Sequence, residues 1–415
     1  MSHTLFWIIV LLVVFDFLFS KSLSLLNLKR MIPQLPDELK GIYNEEKYAR
    51  SLEYQKTNLR FSFVTDSFSL LVFLAMLFSG GFALVDHWVQ ALTENAYLQS
   101  LLFFGVLGFA LDIITIPFQL YDTFVIEDRF GFNKTTVKTF IFDKIKGWLI
   151  GAILGSAILL FIQWAYTSTG PWFWLIVMGG LSLFMIFMAM FYTQIFVPIF
   201  NKLTPLEEGG LKSSIEAFAD KAGFKLDNIY VIDGSKRSTK ANAYFSGLGS
   251  KKRIILYDTL INDLSNEEIV AVLAHEVGHN KNKHIIKGLA MSLVQTGILV
   301  ALLWYALSNP DLSYALGAEK PSFYMSLLAF ALLFSPVSFI IGILSNMLSR
   351  KFEYQADAYA RTHYDAGKLI TALIKLSVKS LSNLRPHPLY VFFNYSHPTL
   401  LQRMNRLKES DNQKN

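Results

Sequence analysis

The sequence predicts a mainly α-helical protein that crosses a membrane about seven times and carries a smaller water-exposed part with a short β-sheet. Three observations lead to this fold class. Of the 415 residues, 53% are hydrophobic and only 17% are charged, compared with roughly 25% charged in typical soluble domains. Apolar stretches long enough to cross a bilayer recur along the chain. Basic residues gather between alternate stretches, as they do in multi-pass membrane proteins.

Seven apolar stretches are long enough to form a helix that crosses the hydrocarbon core, which takes about 20 residues. They lie at 4–26, 63–85, 98–118, 147–166, 172–196, 288–308 and 322–348. The first has no basic residue ahead of it and no small-residue cleavage site behind it. We therefore expect a retained span rather than a removable signal peptide.

The Lys and Arg residues indicate which face of the membrane each loop occupies. When each is assigned to its nearest loop, 37 of the 38 lie on one face and Lys320 alone lies on the other. By the positive-inside rule the crowded face is cytoplasmic, so the C-terminus is inside and the N-terminus outside. Nucleic-acid-binding proteins are polar as well as basic, so we expect a lipid bilayer and no nucleic acid as partner.

This topology divides the chain into four predicted segments. An N-terminal membrane region with five spans occupies 1–196, and a transmembrane hairpin of two spans occupies 288–348. The segments 197–287 and 349–415 lie on the same side of the membrane. We expect them to form the two halves of one domain.

Local patterns predict a small sheet and a long helix within 197–287. The β-branched runs Ile229–Ile232 and Arg253–Tyr257 predict strands, with turn residues at Gly247–Gly249. A helix is predicted over Asn262–Lys283. Ser265 is its expected N-cap, and the glutamate three residues later completes a capping box.

The sequence HEVGH at residues 275–279 lies on this predicted helix. His275 and His279 are four residues apart and share a helical face, so both imidazoles can reach one Zn²⁺. Glu276 lies beside them, where its carboxylate can act on a water at the metal. Because the chain contains no cysteine, any metal must be held by His, Asp or Glu.

A catalytic zinc normally takes three protein ligands, so a third must come from elsewhere. His284 is the nearest candidate, but it lies about 140° further round a helix than His279. Glu353 is the better candidate, because two intervening spans return the chain to the same face. Asp357 shares a helical face with Glu353 and can receive the free N–H of a liganding histidine. An acid pair at this spacing is also typical of a solvated helix face.

These motifs resemble a known family. The pattern HExxH followed by ExxxD at residues 353–357 is the gluzincin arrangement. Further stretches, at 117–134, 200–206, 240–245 and 395–399, resemble the type I CAAX prenyl proteases. These are integral-membrane zinc enzymes of the eukaryotic endoplasmic reticulum with bacterial relatives.

The resemblance implies a helical barrel around a water-filled chamber. It implies cleavage of the last three residues from a C-terminal CAAX peptide or protein whose Cys carries a prenyl group. It also implies that His275, His279 and Glu353 bind one Zn²⁺, that Glu276 is the general base and that Asp357 orients a liganding histidine.

The resemblance implies four further site residues. Asn242 and Ala243 correspond to an edge strand that pairs with the substrate backbone. His397 and Arg403 correspond to groups that stabilise the developing oxyanion. His397 and Glu276 are therefore the predicted catalytic residues, and Arg403 joins the substrate-binding set.

Two other functions stay open on the sequence alone. One is a general quality-control zinc protease of membrane proteins that is indifferent to prenylation. The other is a non-catalytic membrane scaffold with a relic motif. The expected location is the endoplasmic reticulum membrane in a eukaryote or the inner or plasma membrane in a bacterium, with the active site reached from the cytoplasmic side.

Overall fold

The structure, a computed structural model, describes residues 1–41, 43–223, 229–247 and 253–408. The turn predicted at Gly247–Gly249 lies partly outside these residues. The α-helices of the described residues are α1 (Ser2–Lys29), α2 (Glu45–Phe78), α3 (Gly81–Leu92), α4 (Ala96–Tyr121), α5 (Val137–Ser168), α6 (Phe173–Ile195), α7 (Val197–Phe200), α8 (Gly210–Lys221), α9 (Asp258–Asp263), α10 (Asn266–Lys281), α11 (His284–Leu307), α12 (Asp311–Ala315), α13 (Phe323–Leu333), α14 (Ser335–His363), α15 (Ala366–Lys379), α16 (Pro388–Asn394) and α17 (Leu400–Lys408).

Six helical segments in the described part of the chain are long and apolar enough to cross a membrane, and they are built on α1, α2, α4, α5, α6 and α11. Their most apolar windows are at most 22% buried within the protein, which leaves their side chains free to contact lipid. α13 and α14 form the seventh predicted span as a pair bent by 50°. The multi-pass prediction is confirmed with six spans, or seven when the bent pair counts as one.

One predicted span boundary is wrong. The second span was expected to continue to residue 85, but α2 ends at Phe78. Gly80 then adopts a left-handed conformation with φ 72°, and a separate helix, α3, begins at Gly81. Glycine takes this conformation at little steric cost, so the apolar run is divided between two helices.

The described part of the chain contains one four-stranded sheet, formed by β1 (Leu203–Pro205), β2 (Ile229–Ile232), β3 (Ala243–Ser246) and β4 (Arg253–Tyr257). The strand order is β1-β2-β4-β3. β2 and β4 are the two predicted strands, and they pair in parallel, whereas the outer strands pair antiparallel. β3 therefore lies at an edge of the sheet.

The predicted helix carrying the HEVGH sequence is observed as α10. It begins at Asn266 because the preceding residues form the short helix α9. The capping box is confirmed, since Ser265 N–H donates to Glu268 Oε2 at 2.8 Å and Ser265 Oγ accepts from the Glu268 N–H at 3.4 Å. Ile269 and Leu273 of α10 lie in a buried cluster with the sheet, and this packing fixes the helix on one side.

The two predicted halves of the water-exposed domain are in contact. α10 packs against α14 and α15, so 197–287 meets 349–408 directly. The exact division at 1–196, 197–287, 288–348 and 349–415 stays a prediction, as does the chamber implied by the resemblance. Residues 409–415 of the last segment lie outside the described residues.

Candidate metal centre

α10 and α14 bring three candidate metal ligands together. His275 Nε2 lies 3.4 Å from Glu353 Oε2, and His279 Nε2 lies 3.2 Å from Glu353 Oε1. The two Nε2 atoms are 3.2 Å apart. One ligand atom from each residue can be chosen so that all lie within 4.8 Å of one another, as ligands around one small ion must.

Gly278 allows the two helices to approach this closely. A Cβ built at Gly278 would lie 2.9 Å from Tyr359 Cβ, 3.0 Å from Ala356 Cα and 3.0 Å from the Ala356 carbonyl oxygen. Two of these neighbours are backbone atoms and cannot rotate away. The glycine inside HEVGH is therefore required for the position of α14, which carries Glu353.

The donor set fits a bound cation. His275 Nδ1 lies 2.8 Å from Asp357 Oδ1, and a proton on Nδ1 leaves the Nε2 lone pair facing Glu353. Glu353 is 4% exposed, and its Oε2 accepts no hydrogen bond from the described residues. Lone pairs and a buried carboxylate oxygen that face each other at these distances repel unless a cation lies between them.

The electrostatics of His275 lead to the same conclusion. Burial and the charge of Arg403 lower its pKa, but hydrogen bonds with Asp357 and Glu353 outweigh them and raise the pKa to about 9. The site therefore favours positive charge at His275, which either a proton or a metal ion supplies.

Asp357 is fixed by a bidentate contact with Arg403. Arg403 Nε and Nη2 donate to the Asp357 carboxylate at 2.9 and 2.6 Å, while Nη1 lies 3.5 Å from Glu353 Oε2. Two charge-assisted hydrogen bonds of this kind hold a carboxylate in a defined plane, which in turn orients His275. Sequence reasoning assigned Arg403 to substrate binding. The substrate-binding role of Arg403 stays a prediction, whereas its contact with Asp357 is observed.

Glu276 lines a cavity of about 230 Å³ together with His275 and Glu353 of the metal site. Burial raises the pKa of its carboxyl, which makes the carboxylate a better proton acceptor near neutral pH. The same cavity brings together residues from α9, α10, α14, α15, α17 and the start of β3. Its lining residues are Ala241, Asn242, Ala243, Leu260, Val272, His275, Glu276, Glu353, Leu369, Leu373, Leu376, His397 and Arg403.

The remaining predicted site residues lie on two sides of this cavity. Asn242 and Ala243 stand at the start of the edge strand β3, where Ala243 is paired with Leu256 of β4. His397 is exposed, and its Nε2 lies 3.3 Å from Glu353 Oε1. Its Nδ1 lies 2.9 Å from the neighbouring Ser396 Oγ. Seven of the nine predicted site residues thus line one cavity, and the other two, His279 and Asp357, contact Glu353 and His275 of that lining.

A partly buried ion pair that sequence reasoning did not predict anchors the edge strand. Lys240 Nζ donates to Glu127 Oε2 at 2.7 Å and to Tyr54 Oη at 3.0 Å. Tyr54 Oη in turn donates to Glu127 Oε1 at 2.5 Å. Lys240 immediately precedes the cavity-lining residues 241–243. Glu127 and Tyr54, both on helices of the membrane region, therefore fix one end of that segment.

His284 contacts a ligand candidate rather than joining the ligand set. Its Nδ1 lies 3.0 Å from Nδ1 of His279, on the side of the His279 ring opposite to Glu353. The prediction that His284 is a poor zinc ligand agrees with this position. Its contact with His279 was not predicted, because it depends on the helix break between α10 and α11.

Comparison with known proteins identifies the family. Residues 24–202 match the model of the CAAX prenyl protease N-terminal domain with five membrane helices, and residues 205–411 match that of peptidase family M48. The chain belongs to the M48 family. This confirms the resemblance read from the motifs.

Similar proteins align with this chain over nearly their whole length. A CAAX prenyl protease 1 homolog of Oryza sativa is 36% identical over 397 residues, covering 92% of each chain. CAAX prenyl protease 1 of Saccharomyces cerevisiae is 36% identical over 404 residues, covering 90% of this chain and 88% of the relative. The crystal structure of S. mikatae Ste24p superposes with a TM-score of 0.92 at 33% identity, covering 97% of this chain and 99% of that one.

The M48 membership and the fold together establish a membrane-integrated metalloprotease with a metal cofactor that acts on protein or peptide substrates. The enzyme prediction is confirmed. The comparisons favour it over the quality-control and relic-scaffold alternatives.

Proposed function

We propose that this M48 protease is a zinc endopeptidase that removes the last three residues from C-terminal CAAX sequences whose Cys carries a prenyl group. One observation carries the proposal. His275 and Glu353 of the three-residue metal cluster, the neighbouring Glu276 and the start of the edge strand β3 line one cavity. The names of the similar proteins supply the substrate class, because they are CAAX prenyl proteases.

His275, His279 and Glu353 would hold the zinc, and two imidazoles with one carboxylate form a common ligand set for catalytic zinc. When bound there, zinc polarises the scissile carbonyl and acidifies a water molecule. Asp357 accepts a hydrogen bond from the Nδ1–H of His275 and so keeps Nε2 unprotonated toward the metal. Arg403 holds Asp357 in place through its two hydrogen bonds.

Glu276 performs the proton transfers. Its carboxylate accepts a proton from the attacking water and later delivers it to the leaving amine. His397 donates a hydrogen bond from Nε2 to the oxygen on which negative charge develops, an effect that typically contributes about 10²–10³ in rate. Ser396 Oγ fixes the orientation of this otherwise exposed ring through Nδ1.

The edge strand and an apolar wall position the peptide. A substrate strand added beside Asn242 and Ala243 would hydrogen-bond to the edge strand β3 at its start, the usual β-augmentation mode. Opposite this edge, Leu369, Leu373 and Leu376 of α15 line the cavity. These leucines suit the aliphatic residues that follow the cysteine in a CAAX sequence.

We place the protein in the endoplasmic reticulum membrane, with the cavity reached from the cytoplasmic side. The similar proteins named above come from eukaryotes. The segments that carry the site lie on the face that holds most of the Lys and Arg residues. By the positive-inside rule that face is cytoplasmic.

Substitution Glu276→Gln tests the proposed mechanism. The amide keeps the size of the side chain but cannot accept the proton, so cleavage of a prenylated CAAX peptide should be abolished. Zinc measured by elemental analysis should stay near one equivalent, because Glu276 is not a proposed ligand. Cleavage retained by Glu276→Gln would reject the mechanism. Wild-type protein that is free of zinc after purification in zinc-containing buffer would reject the metal assignment.

A further inference from the structure

The metal-binding helix is followed directly by a helix break. α10 ends at Lys281, Lys283 adopts a left-handed conformation with φ 57°, and α11 begins at His284. In a continuous helix His284 would point about 140° away from His279. The break instead allows His284 to contact His279, and His284 is only 5% exposed there.

Both ring nitrogens of His284 have partners. Its Nδ1 lies 3.0 Å from His279 Nδ1, and its Nε2 lies 2.9 Å from Gln355 Oε1. The ring also stacks on Phe352, with centroids 4.1 Å apart and an interplanar angle of 10°. Stacking on one side and hydrogen bonds at both nitrogens leave the imidazole with one orientation.

These contacts define a single direction of hydrogen bonding. When the Nε2 lone pair of His279 faces the metal site, the proton of His279 is on Nδ1. That N–H donates to the unprotonated Nδ1 of His284. The proton of His284 is then on Nε2 and donates to the carbonyl oxygen of Gln355. Each ring nitrogen of His279 and His284 then has one partner, the metal site being the partner of His279 Nε2.

The two histidines of HEVGH are therefore held in different ways. His275 donates to a carboxylate, Asp357, whereas His279 donates to a neutral imidazole that ends on a neutral amide. Glu276, Glu353 and Asp357 already place three carboxylates around the metal site. The neutral chain orients His279 without adding a fourth, whose burial would be costly.

We propose that His284 and Gln355 are positioning residues that fix the tautomer and ring orientation of His279 and thereby set the affinity for the metal. The proposal rests on the proposed assignment of His279 as a zinc ligand. Hydrogen-bond partners of metal-binding histidines commonly contribute about 10–100-fold in metal affinity.

Substitutions at His284 separate hydrogen bonding from packing. His284→Phe keeps an aromatic ring against Phe352 but removes the acceptor for His279. His284→Asn restores an acceptor oxygen close to the position of Nδ1. His363→Phe is the matched control, because His363 also stacks on a neighbouring ring, Tyr359, at 3.9 Å and 14°, but is exposed and makes no contact with the proposed ligands.

The measurement is the dissociation constant for zinc in the purified full-length protein, obtained by competition with a chromogenic chelator. We expect His284→Phe to raise it about 10–100-fold, His284→Asn to recover most of the loss, and His363→Phe to leave it unchanged. Thermal unfolding of the chelator-stripped proteins should be similar, which shows that the fold is retained. Gln355→Leu, which removes the far end of the chain, should give a smaller increase and decides the matter if His284→Phe does not fold.

Wild-type zinc affinity in His284→Phe, or in Gln355→Leu where the first variant does not fold, would overturn the proposal. Equal weakening by His284→Phe and His284→Asn would also overturn it, because lost packing would then be the cause. These results leave the proposed function intact if the wild type binds one zinc and cleaves peptide. A wild type that binds no zinc would overturn the proposed function and this inference with it.

Discussion

Replacement of Gly278 by alanine should separate the two helices that form the metal centre. The added Cβ would lie 2.9–3.0 Å from Tyr359 and from the backbone of Ala356, whereas carbon atoms in favourable contact are about 3.5–4.0 Å apart. α14 must therefore move by roughly 0.5–1 Å relative to α10. Ala356 lies between Glu353 and Asp357, so the same movement displaces both carboxylates from the histidines.

The expected cost follows from this displacement. Overpacking of a tight contact costs about 1–3 kcal/mol, against a gain of roughly 0.5–1 kcal/mol from replacing a helical glycine by alanine. The free energy of unfolding should therefore fall by no more than about 2.5 kcal/mol. Activity should fall by about 10²-fold, the typical effect of a misplacement of about 1 Å at a reacting centre.

The assay compares kcat/KM on a prenylated CAAX peptide, zinc affinity and thermal unfolding for Gly278→Ala. Gly288→Ala is the matched control, because Gly288 lies on the neighbouring helix α11 and a Cβ there would meet nothing within 4 Å. It should keep the activity of the wild type. If Gly278→Ala also keeps wild-type kcat/KM and zinc affinity, the close approach of α10 and α14 does not determine the site.

Two further substitutions test how the site is supported. Ser265→Ala removes the N-cap of α10 and should lower the free energy of unfolding by about 1 kcal/mol. The measurement is the melting temperature, which should fall. An unchanged melting temperature would mean that tertiary packing alone stabilises this helix end. Glu127→Gln weakens the anchor of Lys240 and should raise KM for the peptide severalfold with little change in kcat, since it loosens the start of β3 but not the metal centre. A fall in kcat at constant KM would contradict that assignment.

Features encoded by local patterns could be predicted from the sequence. The runs Ile229–Ile232 and Arg253–Tyr257 are strands with the predicted bounds, because β-branched residues suit a buried sheet. The capping box at Ser265 and the spacing of His275 and His279 are equally local. Glu353 could be predicted as the third metal ligand because the two spans between His279 and Glu353 return the chain to the same face of the membrane.

Features that depend on distant contacts or on one unusual backbone conformation could not be predicted. The Glu127 and Lys240 pair joins residues 113 positions apart, and no periodicity relates them. The position of His284 depends on the left-handed backbone conformation of Lys283, which most residues with a side chain adopt only at an energetic cost. The requirement for glycine at 278 appears only once α14 is packed against it.

Cleavage of matched prenylated and unprenylated CAAX peptides is the most direct test of the proposed function. Each buried methylene group of the prenyl chain contributes about 0.8 kcal/mol. Two of them together contribute about 1.6 kcal/mol, and a tenfold difference in kcat/KM corresponds to about 1.4 kcal/mol. We therefore predict at least about tenfold preference for the prenylated peptide, with loss of the last three residues in wild type and no cleavage by Glu276→Gln. Equal kcat/KM on the two peptides would contradict the CAAX assignment and would favour a general membrane protease.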